Sequence, residues 1–305
     1  RTATYTVNMY DIALSVNACV RSKTRAEIAW LVSPNMGVHA LALTPGGGRI
    51  GKIFEGAFDG VMSDYSNRKL PTGRLLTVMV NEFESTISGL PTGTDAKFLV
   101  VPADTFDPDT WPAMIDRIPI AIVAHLNQDE VTRVDVFDES SIGTADAQTS
   151  ELFAKGTTAY EIHPDRVISV LFPVTRLVVA GQGPVAEAIA SLGQTLGWNV
   201  TVMMRNDLAI GLLASLSPLD AAVIMGHEVE VSSRNLGAAL EGDAGYIGAL
   251  GSLQKQQDRA DWLAYQDVTD LSRVFGPAGI DISASSPAEI AVSVIAQAIA
   301  VLKSN

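Results

Sequence analysis

The chain has 305 residues, 47% of them hydrophobic and 18% charged, with a formal net charge of −13. That length can hold two domains and that composition packs a core, which excludes a disordered chain. The acidic balance disfavours nucleic acid and anionic lipid as partners, and a single cysteine, Cys19, excludes an internal disulfide and a cysteine-rich metal site.

In chain order, a helix is predicted just after residue 11 and a strand entry at 25–32. Residues 39–43, the glycine-rich 44–49 and 50–54 read as strand, turn and strand. The turn is either a plain hairpin or, with Arg49 as its cation, a phosphate cradle. A helix through 61–64 precedes strands at 73–80 and 96–101, the 106–117 segment, and strands at 118–125 and 132–137. Residues 151–156 read as helix, and 167–172 as an edge strand or linker ending at Pro173. Together these predict a strand-rich α+β domain over residues 1–172.

From 173 to 305 strands and helices alternate regularly: strand 176–180, helix 184–196, strand 200–204, helix 207–215, strand 221–225, helix 231–241, strand 244–250 and helix 253–264. A last helix opens at Ser286-Pro287-Ala288-Glu289, a capping box with proline in the first turn. Alternation of this kind predicts a Rossmann-like, doubly wound parallel sheet, so the chain as a whole is expected to be α/β. The longest apolar run, 290–302, is too short to span a bilayer. No secretory leader is visible, and a cytoplasmic protein without membrane insertion is expected.

The first βα turn carries Gly181-x-Gly183-x-x-Ala186. In a dinucleotide-binding turn the first glycine allows the tight bend and the second lets backbone approach a pyrophosphate. The third position, here alanine, permits close helix–strand packing, and the free N–H groups of the helix start face the anion. Val185, Ile189, Leu192 and Leu196 form the helix's predicted apolar stripe. A full fingerprint also has an acidic residue at the tip of the second strand, where this chain reads Met204-Arg205-Asn206-Asp207. Three readings follow: Arg205 meets a 2′-phosphate and selects NADP, Asp207 reaches back from the loop, or the fold persists without tight dinucleotide binding.

Other candidates fall at later strand ends. His227 follows the 221–225 strand, as a donor to a phosphate or pterin or as an ordinary loop residue. In the 245–252 run, Gly248 and Gly251 would let backbone approach a ligand, with Ser252 a donor and Lys255 a cation, unless the run is only a tight turn. Asp281, Asp59 and Glu55 are weaker polar candidates. No Gly-x-Ser-x-Gly, His-Glu-x-x-His or Cys-x-x-Cys occurs, and the four histidines are scattered, so no catalytic residue and no metal site is assigned.

The series Gly181-Gln-Gly-Pro-Val-Ala186, Asn199-Val-Thr-Val-Met203, Gly226-His227, Gly245-Tyr-Ile-Gly-Ala-Leu-Gly-Ser252, Gly276-Pro-Ala-Gly-Ile-Asp-Ile282 and Ser286-Pro-Ala-Glu-Ile-Ala291 resembles the Rossmann domain of the XdhC/CoxI family, the xanthine dehydrogenase accessory proteins. The likeness spans 174–305, and Gly48–Gly60 resembles that family's N-terminal glycine segment more loosely. It implies a protein that binds molybdenum cofactor, protects it like a chaperone, and delivers it to a xanthine-dehydrogenase-type molybdenum hydroxylase. A cofactor sulfurase partner and a homodimer are further implications. By the same resemblance the ligand lies in an interdomain cleft at the C-terminal edge of the Rossmann sheet. Gly181, Gly183 and the helix start would hold its phosphate, Arg205 would add charge, and His227 with Ser252 would fix the heterocycle.

The chain departs from the family at Ala57 and at Thr92, where cysteines are often found. Thiolates are the soft ligands that molybdenum or a transferred sulfur would use, so thiol transfer through these positions is impossible. Cys19 reads as a small buried hydrophobe. Two other functions stay open: an NAD(P)-dependent oxidoreductase with His227 as its acid–base group, and a degenerate scaffold member of the family.

Overall fold

The computed structural model describes residues 7–35, 39–204, 206–226 and 228–304. The chain divides into two compact units, Arg1–Pro173 and Val174–Asn305.

The first unit opens with α1 (Met9–Arg21), whose N-cap Asn8 and Asp11 form a capping box. Then follow β1 (Glu27–Ser33), β2 (Ala40–Thr44), β3 (Gly48–Gly51), α2 (Asp59–Asn67), β4 (Arg74–Met79), α3 (Glu82–Ser88), β5 (Asp95–Pro102), α4 (Thr110–Ile115), β6 (Ile120–Asn127), β7 (Glu130–Phe137), α5 (Ala147–Phe153), β8 (Ala159–Ile162) and β9 (Arg166–Leu171). The nine strands form one antiparallel sheet in the order β3-β2-β1-β5-β4-β7-β6-β9-β8. Successive strand side chains alternate between its faces. In β1, Ile28 and Trp30 join a core with Ile12 of α1 and Trp111 of α4, while Ala29 and Leu31 pack with Met62 of α2. Both faces are covered, which explains why β1 reads as an unbroken apolar run.

Three elements, β8, β9 and α3, differ from the expectations, and the 44–49 turn takes the hairpin form that is one of its two readings. β9, taken as an edge strand or linker, pairs with β6 on one side and β8 on the other. β8 and α3 were not anticipated. The 44–49 turn closes the β2–β3 hairpin with Gly46 and Gly47 at φ +98° and +95°, and Arg49 is ion-paired to Asp59.

The second unit comprises β10 (Arg176–Ala180), α6 (Pro184–Thr195), β11 (Asn199–Met203), α7 (Asn206–Ala214), β12 (Ala221–Ile224), α8 (Val229–Glu241), β13 (Tyr246–Ala249), α9 (Leu253–Ala264), β14 (Val274–Phe275) and α10 (Pro287–Leu302). All strand pairs are parallel, in the order β11-β10-β12-β13-β14. Helices cover both faces. Ile189 of α6 and Val294 of α10 pack on Leu177 and Val179, whereas Leu213, Leu236 and Leu263 of α7, α8 and α9 pack with Val178 and Ile224. The α/β expectation for this half therefore holds. The chain runs from β10 outward to β11 and returns on the other side to β12, so the winding reverses between β10 and β12, the position where doubly wound sheets bind ligands.

The buried face of α6 is Ala186, Ile189, Ala190 and Gly193, and Leu196 of the predicted stripe is 48% exposed. Small residues bring the helix close to the sheet: a β-carbon on Gly193 would lie 2.8 Å from Val200. At the opposite, N-terminal edge of the sheet, the fully buried Asp220 accepts bonds from the Arg176 backbone N–H (2.9 Å), Nε (2.9 Å) and Nη2 (2.6 Å) and from the Ser217 N–H (2.9 Å). Its carbonyl accepts the Gly245 N–H at 3.0 Å, so one residue ties together the starts of β10, β12 and β13. Among the described residues no helix is long and apolar enough to cross a membrane.

Candidate functional site

At the C-terminal edge the strand ends are joined by backbone bonds. Gly181 N–H donates to the Met203 carbonyl (3.0 Å) and Met225 N–H to the Ala180 carbonyl (2.9 Å). A β-carbon on Gly181 would lie 2.5 Å from Met225 Cβ, so glycine is what lets β10 and β12 end side by side. Gly183 has a different reason. Its φ is +100° and a β-carbon there would meet nothing within 4 Å, so this backbone faces open space. Pro184 follows at the first position of α6. Its missing N–H is one a helix start cannot use, and the N–H groups of Val185 and Ala186 lack intrahelical acceptors.

These elements surround a cavity of about 520 Å³ at the reversal of the sheet. One side is Gly181, Gln182, Pro184 and Val185, and the tip of β11 adds Met203 and Met204. Met225, Gly226, Glu228 and Val231 come from the turn into α8, and Leu250, Gly251 and Lys255 from the turn into α9. Three methionines make the wall apolar and adaptable, suited to a flat ring of variable shape. Lys255 Nζ lies 3.5 Å from the Gly226 carbonyl, and the Glu228 side is exposed.

Of the residues singled out from sequence, Gly181 and Gly251 line the cavity and Gly183 stands in the chain between two lining residues. Ala186 is fully buried beneath it. Gly248 lies inside β13, where a β-carbon would come within 2.6 Å of Tyr246 Oη; it makes room for that ring and is not on the cavity wall. Ser252 caps α9, its Oγ accepting the Lys255 N–H at 3.4 Å, and is exposed away from the wall. Arg205 and His227 lie outside the described residues. Asp281 accepts the Ser283 N–H in an exposed turn, and Cys19 packs half-buried on α1. No group of three metal-binding side chains occurs among the described residues.

Sequence reasoning missed Arg259. This α9 residue is 1% exposed, and no carboxylate of a described residue lies within ion-pairing distance. Burial pulls its pKa below the ordinary arginine value. The available signal was periodicity: Arg259 stands four residues before Leu263, on the face that α9 buries.

A five-stranded parallel sheet wound in both directions, with a glycine turn and a cavity at its reversal, defines a Rossmann-type ligand-binding domain. Residues 177–298 match the family model of the XdhC Rossmann domain. This stretch of the second unit is therefore similar to the Rossmann domain of the XdhC family. The crystal structure of a xanthine dehydrogenase from Bacillus halodurans is similar at a TM-score of 0.49 and 16% identity, over 98% of this chain and 97% of that one. Among curated proteins there is no match.

Proposed function

We propose that this chain is an accessory protein of the molybdenum-hydroxylase system, holding molybdenum cofactor in the cavity at the sheet reversal for a xanthine-dehydrogenase-type client. The observation that carries the reading is the Gly183 turn: an open, left-handed backbone at the mouth of α6, inside an XdhC Rossmann domain. The phosphate end of the cofactor suits the N–H groups of that helix start, and its ring system suits Met203, Met204 and Met225. At the two positions where the family often has cysteine this chain has Ala57, buried in a core, and Thr92, in an exposed turn, so neither supplies a thiolate. When bound, the cofactor supplies the molybdenum centre that the client uses; this chain's residues bind, orient and shield it. Homodimerisation and work with a cofactor sulfurase belong to the same proposal.

The glycine turn also supports a second reading, a dinucleotide-dependent oxidoreductase. Protein purified from molybdate-fed cells separates the two through its oxidised, fluorescent pterin content, with Gly183→Asp as control. Pterin near one per chain, lost in the variant, is the expected result. Absence of pterin together with enhanced NADPH fluorescence on mixing, lost in the variant, would establish the oxidoreductase. Absence of both would leave a scaffold.

A further inference from the structure

Arg259 carries a charge into the interior, and nothing described answers it. Its Nε donates to Ser232 Oγ in the first turn of α8 (3.0 Å), its Nη1 donates to Gln256 Oε1 in α9 (3.2 Å), and its buried Nη2 has no partner. Ser232 Oγ donates onward to the Glu228 carbonyl at 2.9 Å, and Gln256 Nε2 to the carbonyls of Ala249 (3.0 Å) and Gly251 (3.2 Å). The guanidinium thus braces the two turns that supply Glu228 and Gly251 to the cavity wall. It also lies directly behind that wall, since a β-carbon on Gly251 would be 3.7 Å from Nη1. The starts of α8 and α9 add partial positive charge at the same place. A neutral side chain could brace the turns without the cost of burying a cation. A counter-charge on the cavity side of Gly251 gives the buried guanidinium a purpose that bracing does not.

We infer that Arg259 is the buried counter-charge for an oxyanionic end of the ligand, docked at the Gly226–Gly251–Lys255 wall. The Gly251 turn of this wall stands two strands from the Gly183 turn, a separation of roughly 10 Å at ordinary strand spacing. The ligand is therefore anionic at two ends, and the second is either another phosphate or an oxo-metal head. The inference rests on the proposed reading only in taking the cavity as the ligand site.

The test follows the Arg259 Nε resonance of the full chain in arginine-selective NMR spectra, assigned by its loss in Arg259→Lys, while inorganic phosphate or molybdate is added at constant ionic strength. A saturable shift is expected, and the tighter anion identifies which end docks there. Arg259→Met should bind that anion roughly tenfold more weakly, the effect of losing a unit charge at about 10 Å in a medium of intermediate dielectric, with its melting temperature unchanged or raised. An unmoved resonance with both anions overturns the inference. So does an Arg259→Met protein that binds the anion as tightly as the parent, or one that melts lower with its anion response intact. No pterin enters these measurements, so a failed cofactor-carriage result leaves them standing.

Discussion

The two edges of the C-terminal sheet are built on opposite principles. At the N-terminal edge the charges of Asp220 and Arg176 are matched, and the buried carboxylate has its hydrogen bonds supplied by Arg176 and Ser217. At the C-terminal edge, Gly183 leaves backbone facing open space and Arg259 is buried with no carboxylate of a described residue within ion-pairing distance. The same strands run through both edges, so the difference lies in the turns alone. One edge is arranged for the protein itself, and the other leaves polar capacity for something else.

Removing the matched charge should do the most damage. Asp220→Ala leaves Arg176 and the Ser217 N–H without their acceptor and should cost about 3 kcal/mol, read from urea midpoints at unchanged m-value. Gly181→Ala probes the junction of β10 and β12. The new β-carbon collides with Met225, and about 2 kcal/mol of stability should be lost through overpacking. Arg259→Met sharpens the contrast because its effect should have the other sign. Replacing an unmatched buried charge by an apolar side chain of similar length should leave the protein as stable or about 1 kcal/mol more so by the same measurement. A clear loss would mean that the two edges are alike after all.

The smallest effect concerns a surface carboxylate whose donors are all local. Glu289 accepts bonds from the Ser286 and Ser285 N–H groups and from their side chains, which hold its pKa at about 2 against an ordinary 4.5. A lowered folded pKa contributes stability that is complete above pH 4.5 and is lost as the pH falls toward 2. Between about pH 5.5 and about pH 3, which covers the upper part of that window, the parent should lose more melting temperature than Glu289→Gln. Equal losses would show that the capping box does not bind Glu289 in its charged form.

The alternation of strands and helices from 176 to 264 was legible because the helices there are long enough to show their period, and Ser286 with Glu289 announced α10, whereas β14, two residues long, is too short to show any. The glycine turn was legible for the same reason: its meaning is local. The N-terminal sheet was harder. β8 is a four-residue strand half-buried throughout, which shows no alternation, and without it β9 has only one partner and reads as an edge. α3 did carry a sign, since Asn81 and Glu84 form a capping box, but its exposed Phe83 and Ile87 obscure the buried face. Gly248 and Arg259 were illegible for a tertiary reason. The first serves a ring two residues away, and the second borrows its environment from α8, so no window of sequence contains the cause.

The Asp220 knot has a kinetic consequence. Because it fastens the starts of three parallel strands, the turns at the other edge can open without disturbing the sheet that carries them. Amide hydrogens of Val178 and Val179 should therefore exchange only through global unfolding, and those of Gly226 and Gly251 through local excursions. A ligand could enter and leave many times within the life of one folded molecule.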